Sequence, residues 1–266
     1  MSSPPSKSPA IVQRDAKALA AGYSSGFRVF EILAITLFFG LCVLLGSRLM
    51  PVAAESPVWF GLALVIGWFA ADFGSGVVHW AGDTWGTTEV PIVGQSLIRT
   101  FREHHVDQTA ITRHDFVETN GSNCMATLPF LVGALFIDLE NLVGVLGATF
   151  CLTLSVWVFL TNQIHSWAHE TAPPKIARWL QRSGLILSPE HHALHHALPF
   201  DRAYCITSGK MNPILGRIDF FRRTERVITA LTGAVPRRDD IGLDAALEIA
   251  PMPPEGAVQP VSGERA

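Results

Sequence analysis

Residues 29–47 and 57–79 form two apolar runs with only a short stretch between them. An α-helix rises 1.5 Å per residue, so about 20 apolar residues cover a hydrocarbon core roughly 30 Å thick. Both runs read as transmembrane helices. A third apolar block, 124–164, carries Asp138, Glu140 and Asn141 in its middle. It divides into helices of about 124–138 and 141–164 around a tight turn, rather than forming one very long span. The composition agrees: 48% hydrophobic and 16% charged residues, against about 25% charged in soluble domains. The expected fold is all-α, a polytopic membrane protein with about four transmembrane helices in two hairpins.

The basic residues orient such a bundle, because positive flanks stay in the cytoplasm. Lys7, Arg14, Lys17 and Arg28 precede the first helix, Arg99, Arg102 and Arg113 lie between the hairpins, and all but Arg48 of the rest follow Asn162. Both termini and the segments 80–123 and 165–240 are therefore expected on the cytoplasmic side of a bacterial inner membrane or an ER-type membrane. Residues 1–26 are polar and resemble no cleavable signal, 27–240 form the membrane domain, and 241–266 read as a disordered tail rich in Pro, Ala and Gly. A net charge of −3 argues against nucleic acid as a partner. Cys42, Cys124, Cys151 and Cys205 stand too far apart for a C-x-x-C site and read as reduced packing thiols. The tryptophans read mostly as an interfacial belt, and Arg217, Phe220, Phe221, Arg222 and Arg223 as an interfacial anchor.

All 10 histidines fall between His79 and His196, in segments that this topology collects on one membrane face. His79 and Asp83 are i, i+4, which puts imidazole and carboxylate on one helical face. His104 and His105 lie in the middle segment, with His114 nine residues on. His165 and His169 are again i, i+4. The last cluster, His191, His192, His195 and His196, follows Ser188-Pro189-Glu190, an N-cap with a first-turn proline and acid; one helical turn should there present His192, His195 and His196 to one side. One zinc ion uses three or four ligands, so this supply implies two metal ions. Imidazole suits iron, copper, nickel and zinc, and the lack of thiolates removes the softer options.

Other chemistry is not supported. His169-Glu170 begins like H-E-x-x-H, but Pro173 stands where the second histidine belongs. There is no G-x-S-x-G elbow and no Walker A loop. Asp72, two helical turns deeper than His79, is either a functional acid or a protonated one bonded to a neighbouring helix. Asp115, Glu118, Asp72 and Glu103 are available to orient ligating imidazoles, with Asp115 and Glu118 alternatively capping a loop.

The stretches Ala71 to Trp80 with Asp83-Thr84-Trp85-Gly86, Phe101 to His105, Arg113 to Phe116 through Gly121, Asn162 to His165 with His169, and His191 to His196 followed by Tyr204-Cys205-Ile206-Thr207 resemble the Kua family of lipid desaturases. The resemblance implies a membrane di-iron enzyme. It would convert a 1-O-alkyl ether phospholipid into its 1-O-alk-1′-enyl form with dioxygen and two external electrons. On this resemblance His165, His169, His192, His195 and His196 are the catalytic histidine boxes. His79, Asp83, His104, His105, His114 and His191 complete the candidate metal ligands. The chain has no haem or flavin fingerprint, so a separate donor of the cytochrome b5 or ferredoxin type is implied. Acyl-lipid desaturation or hydroxylation at the same site is the alternative, with a metal transporter or a haem-binding electron carrier as further readings.

Overall fold

A computed structural model describes residues 23–87, 89–91, 94, 98–197 and 201–236. The tail expected over 241–266 and the basic residues Lys7, Arg14 and Lys17 lie outside these, as does the side chain of Glu103. The described residues are helical, with no strand among them.

Helix α1, Ser25–Glu55, starts where Ser24 Oγ accepts the amide of Phe27. It runs through Pro51 and takes in most of the outer turn expected at 48–56. Ser56 alone then separates it from α2, Pro57–Thr84, whose first residue is a proline that needs no N–H partner there. After the short α3, Arg99–Val106, and a 3-10 turn at Ala110–Arg113, α4 spans Phe116–Leu135. Asp115 caps it by accepting the amides of Val117 and Glu118. The turn at Asp138 to Asn141 follows as expected, with Asn141 capping α5, Leu142–His169. Four short helices follow among the described residues: α6 Lys175–Ser183, α7 Pro189–His192, α8 Asn212–Arg217 and α9 Phe220–Thr232.

Helices α1, α2 and α5 are long and apolar enough to cross a membrane. Their outward faces carry Val43, Met50, Val58 and Val143, while Glu31 is turned inward and only 1% exposed. This inside-out polarity is the mark of a membrane protein, whose outer solvent is lipid. Helix α4 starts eight residues before the expected 124, because Glu118, Asn120, Ser122 and Asn123 point at neighbouring helices. Ser122 donates to Glu31, Asn123 to the carbonyl of Val158, and Asn162 to that of Thr119. These buried polar bonds lower the mean hydropathy of α4 without loosening its packing.

The order of packing also departs from two simple hairpins. Helix α1 packs mainly on α4 and α2 mainly on α5, and α4 pairs with α5, whereas the sequence neighbours α1 and α2 barely touch. The core between α1, α4 and α5 contains Phe38, Leu45, Leu49, Leu131 and Phe159. One end of the bundle gathers the start of α1, the ends of α2 and α5 and the start of α4, and there α3 and the segments after α5 assemble. Trp80 leaves the expected interfacial belt: it is 4% exposed and donates to Glu225 of α9.

Candidate metal centre

Five histidines from three distant stretches converge at this end. His165 and His169 project from the last turns of α5, His104 from α3, and His192 and His196 from α7 and the turn after it. Their Nε2 atoms form a figure with a definite shape. His104 Nε2 lies 3.0, 3.2 and 2.8 Å from those of His165, His169 and His196. His192 Nε2 lies 2.8, 2.7 and 2.9 Å from the same three. The rings of His104 and His192 are within 15° of parallel, and each stands 73–88° to the other three. This is a trigonal bipyramid with His104 and His192 at its poles. Edges of this length put its centre about 2.0 Å from every nitrogen, which is a metal–imidazole bond length.

A second group lies beside the first. Asp83 Oδ2 is 3.3 Å from His79 Nε2, 3.7 Å from His105 Nε2 and 3.5 Å from His195 Nε2, and the last two nitrogens are 3.1 Å apart. Such edges fit a tetrahedron whose centre is about 2.1 Å from each donor, again a bonding distance. The groups are interleaved in sequence: the adjacent residues His104 and His105 divide between them, and so do His195 and His196.

Hydrogen bonds alone do not account for the first group. A neutral imidazole has one N–H, whereas all five rings turn the same nitrogen to one point. Among the described residues, Nδ1 of His104, His192 and His196, and both nitrogens of the buried His79, have no hydrogen-bond partner. Burial, reinforced by neighbouring imidazoles, holds His104 and His192 well below the usual histidine range. Burial likewise lowers His195 to about 4, and burial with His195 and His169 lowers His196 to about 2. These rings are neutral at physiological pH and offer lone pairs, the state that metal binding requires. The residues present therefore fit two metal ions.

The surrounding chain fixes the rings. His195 Nδ1 donates to the carbonyl of Arg202 at 2.9 Å, which leaves the Nε2 lone pair facing Asp83. Ala203 follows at φ 59°, a left-handed conformation that costs a non-glycine residue about 1 kcal/mol or more. It places Tyr204 against the His195 and His79 rings, with centroids 5.2 and 6.1 Å away. The Tyr204 hydroxyl accepts from Arg222, which pairs with Glu225. Residues 205–211 are wedged onto α2. Asp72 accepts the amides of Ser208 and Gly209 on Oδ1 and of Met211 on Oδ2, so it holds this loop rather than bonding to a helix. Gly76 has no side chain because Cys205 Sγ occupies that space.

The structure leaves two expected ligands outside both groups. His114 turns away to Glu118, 3.7 Å from its carboxylate. His191 Nε2 accepts from Asn212 Nδ2 at 2.9 Å and packs against Gly209, at φ +74°; it belongs to the loop anchor. The expected single face of three imidazoles is also corrected. Helix α7, capped by Ser188 as expected, ends at His192, and the turn after it swings His195 into the second group. Asp115 pairs with Arg28, and Glu118 with Arg99 and His114. Sequence reasoning singled out Tyr204 only as part of a motif and missed Asn212 and the Arg202 carbonyl; their roles arise from backbone conformation that no side-chain pattern announces.

Residues 68–239 match the model of the lipid desaturase domain. The chain is 51% identical over 237 residues to the plasmanylethanolamine desaturase of Myxococcus xanthus, covering 89% of this chain and 84% of that protein. It is 43% identical over 236 residues to plasmanylethanolamine desaturase 1 of Mus musculus, covering 85% and 86%. It is 37% identical over 180 residues to the chloroplastic fatty acid desaturase 4 of Arabidopsis thaliana, covering 66% and 54%. No solved structure matches.

Proposed function

The chain belongs to the lipid desaturase family, and from that premise we propose that it is a plasmanylethanolamine desaturase of the cytoplasmic membrane face. It removes two hydrogens from the alkyl carbons beside the ether oxygen of a 1-O-alkyl phospholipid and leaves the vinyl ether of a plasmalogen. The observation that carries this reading is the pair of ligand groups, five nitrogens in one and three nitrogens with a carboxylate oxygen in the other. Two iron ions are the metals proposed for them. When bound they supply the dioxygen-dependent oxidation of an unactivated C–H bond that side chains cannot perform.

For each double bond, one dioxygen, two electrons and two protons join the two substrate hydrogens to give two waters. The electrons come from a separate one-electron donor of the cytochrome b5 or ferredoxin type. The protein's own part is to hold and shield. His104, His165, His169, His192 and His196 would hold one ion, and His79, Asp83, His105 and His195 the other. The Arg202 carbonyl keeps His195 in the tautomer with its lone pair on the metal side. Burial of His79 and His195, both 0% exposed, excludes water from the second group. Helix α4 is the fourth span: its 20 residues reach about 30 Å, and its polar side chains are bonded to α1 and α5.

Acyl-lipid desaturation is the second reading, favoured by the identity to the Arabidopsis protein. Against a haem carrier stands the mutual approach of the five Nε2 atoms, which leaves no room for a porphyrin between them. Against a transporter stands the placement of both groups at one end of the bundle rather than at its middle. Lipid analysis of cells with and without the protein tests the proposal. Acid-labile vinyl ethers should appear only with it. A vinyl ether content independent of the protein, with new double bonds in acyl chains instead, would replace this substrate by the ester one.

A further inference from the structure

Two short helices beside the bundle share an unusual division of their surface. In α6, Ala177 and Gln181 are buried against the protein. Its outer side has an apolar flank, Ile176 and Trp179, both 59% exposed, and a separate basic flank, Lys175, Arg178 and Arg182. In α9, Phe221 and Glu225 are buried, Val227 and Leu231 form an exposed apolar flank, and Arg223 and Arg226 an exposed basic one. A helix with three such sectors fits a protein on one side, acyl chains below and lipid phosphates above.

Their height along α2 is the second observation. Trp68 Nε1 donates to the carbonyl of Leu185, just past the end of α6, and Phe73 packs on Phe220, the first residue of α9, with centroids 5.6 Å apart. Trp157 of α5 meets Trp68 at the same level. Higher up, Gln181 of α6 donates to the carbonyl of Trp167 and Trp80 donates to Glu225 of α9, so both short helices join the bundle between the level of residue 68 of α2, about 16 Å along the axis below His79, and that of the metal groups.

We infer that α6 and α9 lie in the plane of the membrane as a collar whose ligand is the anionic inner-leaflet surface, and that the metal groups stand above the hydrocarbon edge at the level of the lipid head groups. The inference rests on the reading of α1, α2 and α5 as spans and of the substrate as a bilayer lipid. The head-group layer is only about 5–8 Å thick on each side. A substrate carbon next to the glycerol thus reaches the metals with little withdrawal from the bilayer, whereas a mid-chain carbon requires most of its chain to leave. The collar in this way favours oxidation beside the ether oxygen.

The test uses the full chain in bilayers of about one third phosphatidylglycerol, which is enough to give a negative surface. A trifluoromethyl-phenylalanine is placed singly in place of Val43, 73% exposed on α1, Trp179 or Leu231. Fluorine relaxation is read with molecular oxygen, which partitions into hydrocarbon, and with a gadolinium chelate, which stays in water. All three positions should respond more to oxygen, positions 179 and 231 by about threefold over the chelate. Arg178→Glu with Arg182→Glu should lower the oxygen effect at 179 by about half. Dominant relaxation by the chelate at 179 and 231, or by neither agent as inside a protein interface, would overturn the collar if position 43 still reports lipid. If position 43 also reports water, the spanning reading itself falls.

Discussion

The Nε2 atoms of His105 and His195 meet at 3.1 Å across 90 residues of chain, while their sequence neighbours His104 and His196 meet at 2.8 Å in the other group. Two consecutive histidines on each strand of chain thus serve two centres. Such doublets turn successive side chains in different directions, so one helix and one turn together bridge both sites.

The contrast between converging and diverging histidines gives the first prediction. His165→Ala and His192→Ala should each lower desaturation more than about 100-fold, beyond what loss of an outer hydrogen-bond partner costs a metal site, and reduce bound metal while the protein still inserts. His114→Ala should keep metal content and activity near wild type. Equal loss in all three would show that the figure of five nitrogens does not define the site.

The second group can be tested separately. Asp83 contributes its carboxylate oxygen to that group alone. Asp83→Ala should bring metal content from about two ions per chain to about one, and activity should be lost although the five-histidine group stays loaded. Retention of both ions and of turnover would remove Asp83 from the ligand set.

How much of this was legible beforehand depends on which interaction decided each feature. The long helices α2 and α5 follow from apolar length, and the turn at Asp138 to Asn141 from its own side chains. The start of α4 was misplaced because Asn120 and Asn123 look like loop residues until α5 supplies their partners. Nine of the candidate ligands converge because four distant stretches each carried a histidine signature. The division of His104 from His105, and the exclusion of His114 and His191, depend on helix ends and loop anchors. Spacing along the chain holds no record of those.

Loop placement supplies a stability prediction. In Gly76→Ala the new methyl would land on Cys205 Sγ, an overpacking expected to cost about 1–3 kcal/mol. Adding Cys205→Ala should recover part of that loss, a coupling that thermal unfolding in detergent would read. If the two substitutions add independently, the loop does not sit on α2 as described.

Asp115 gives a pH dependence outside the membrane. Its hydrogen bond to Arg28, with the amide of Glu118, holds its carboxyl below the usual carboxylate value. A group with a lowered folded value contributes stability above its unfolded value and loses it as pH falls through the folded one. The cap is worth about 1 kcal/mol. Asp115→Ala should therefore destabilise α4 by about that amount at pH 7, and the gap to wild type should close only as pH falls below the usual carboxylate range. A constant gap from pH 7 to pH 2, followed by amide exchange in the first turn of α4, would contradict the assignment.

The central claim is two metal ions held by imidazoles at one end of the helix bundle. Elemental analysis of the protein purified with iron, together with its visible spectrum, tests it most directly. About two iron ions per chain, one for each ligand group, and no Soret band are predicted. A single tightly held ion of any kind, or a haem spectrum, would contradict the account.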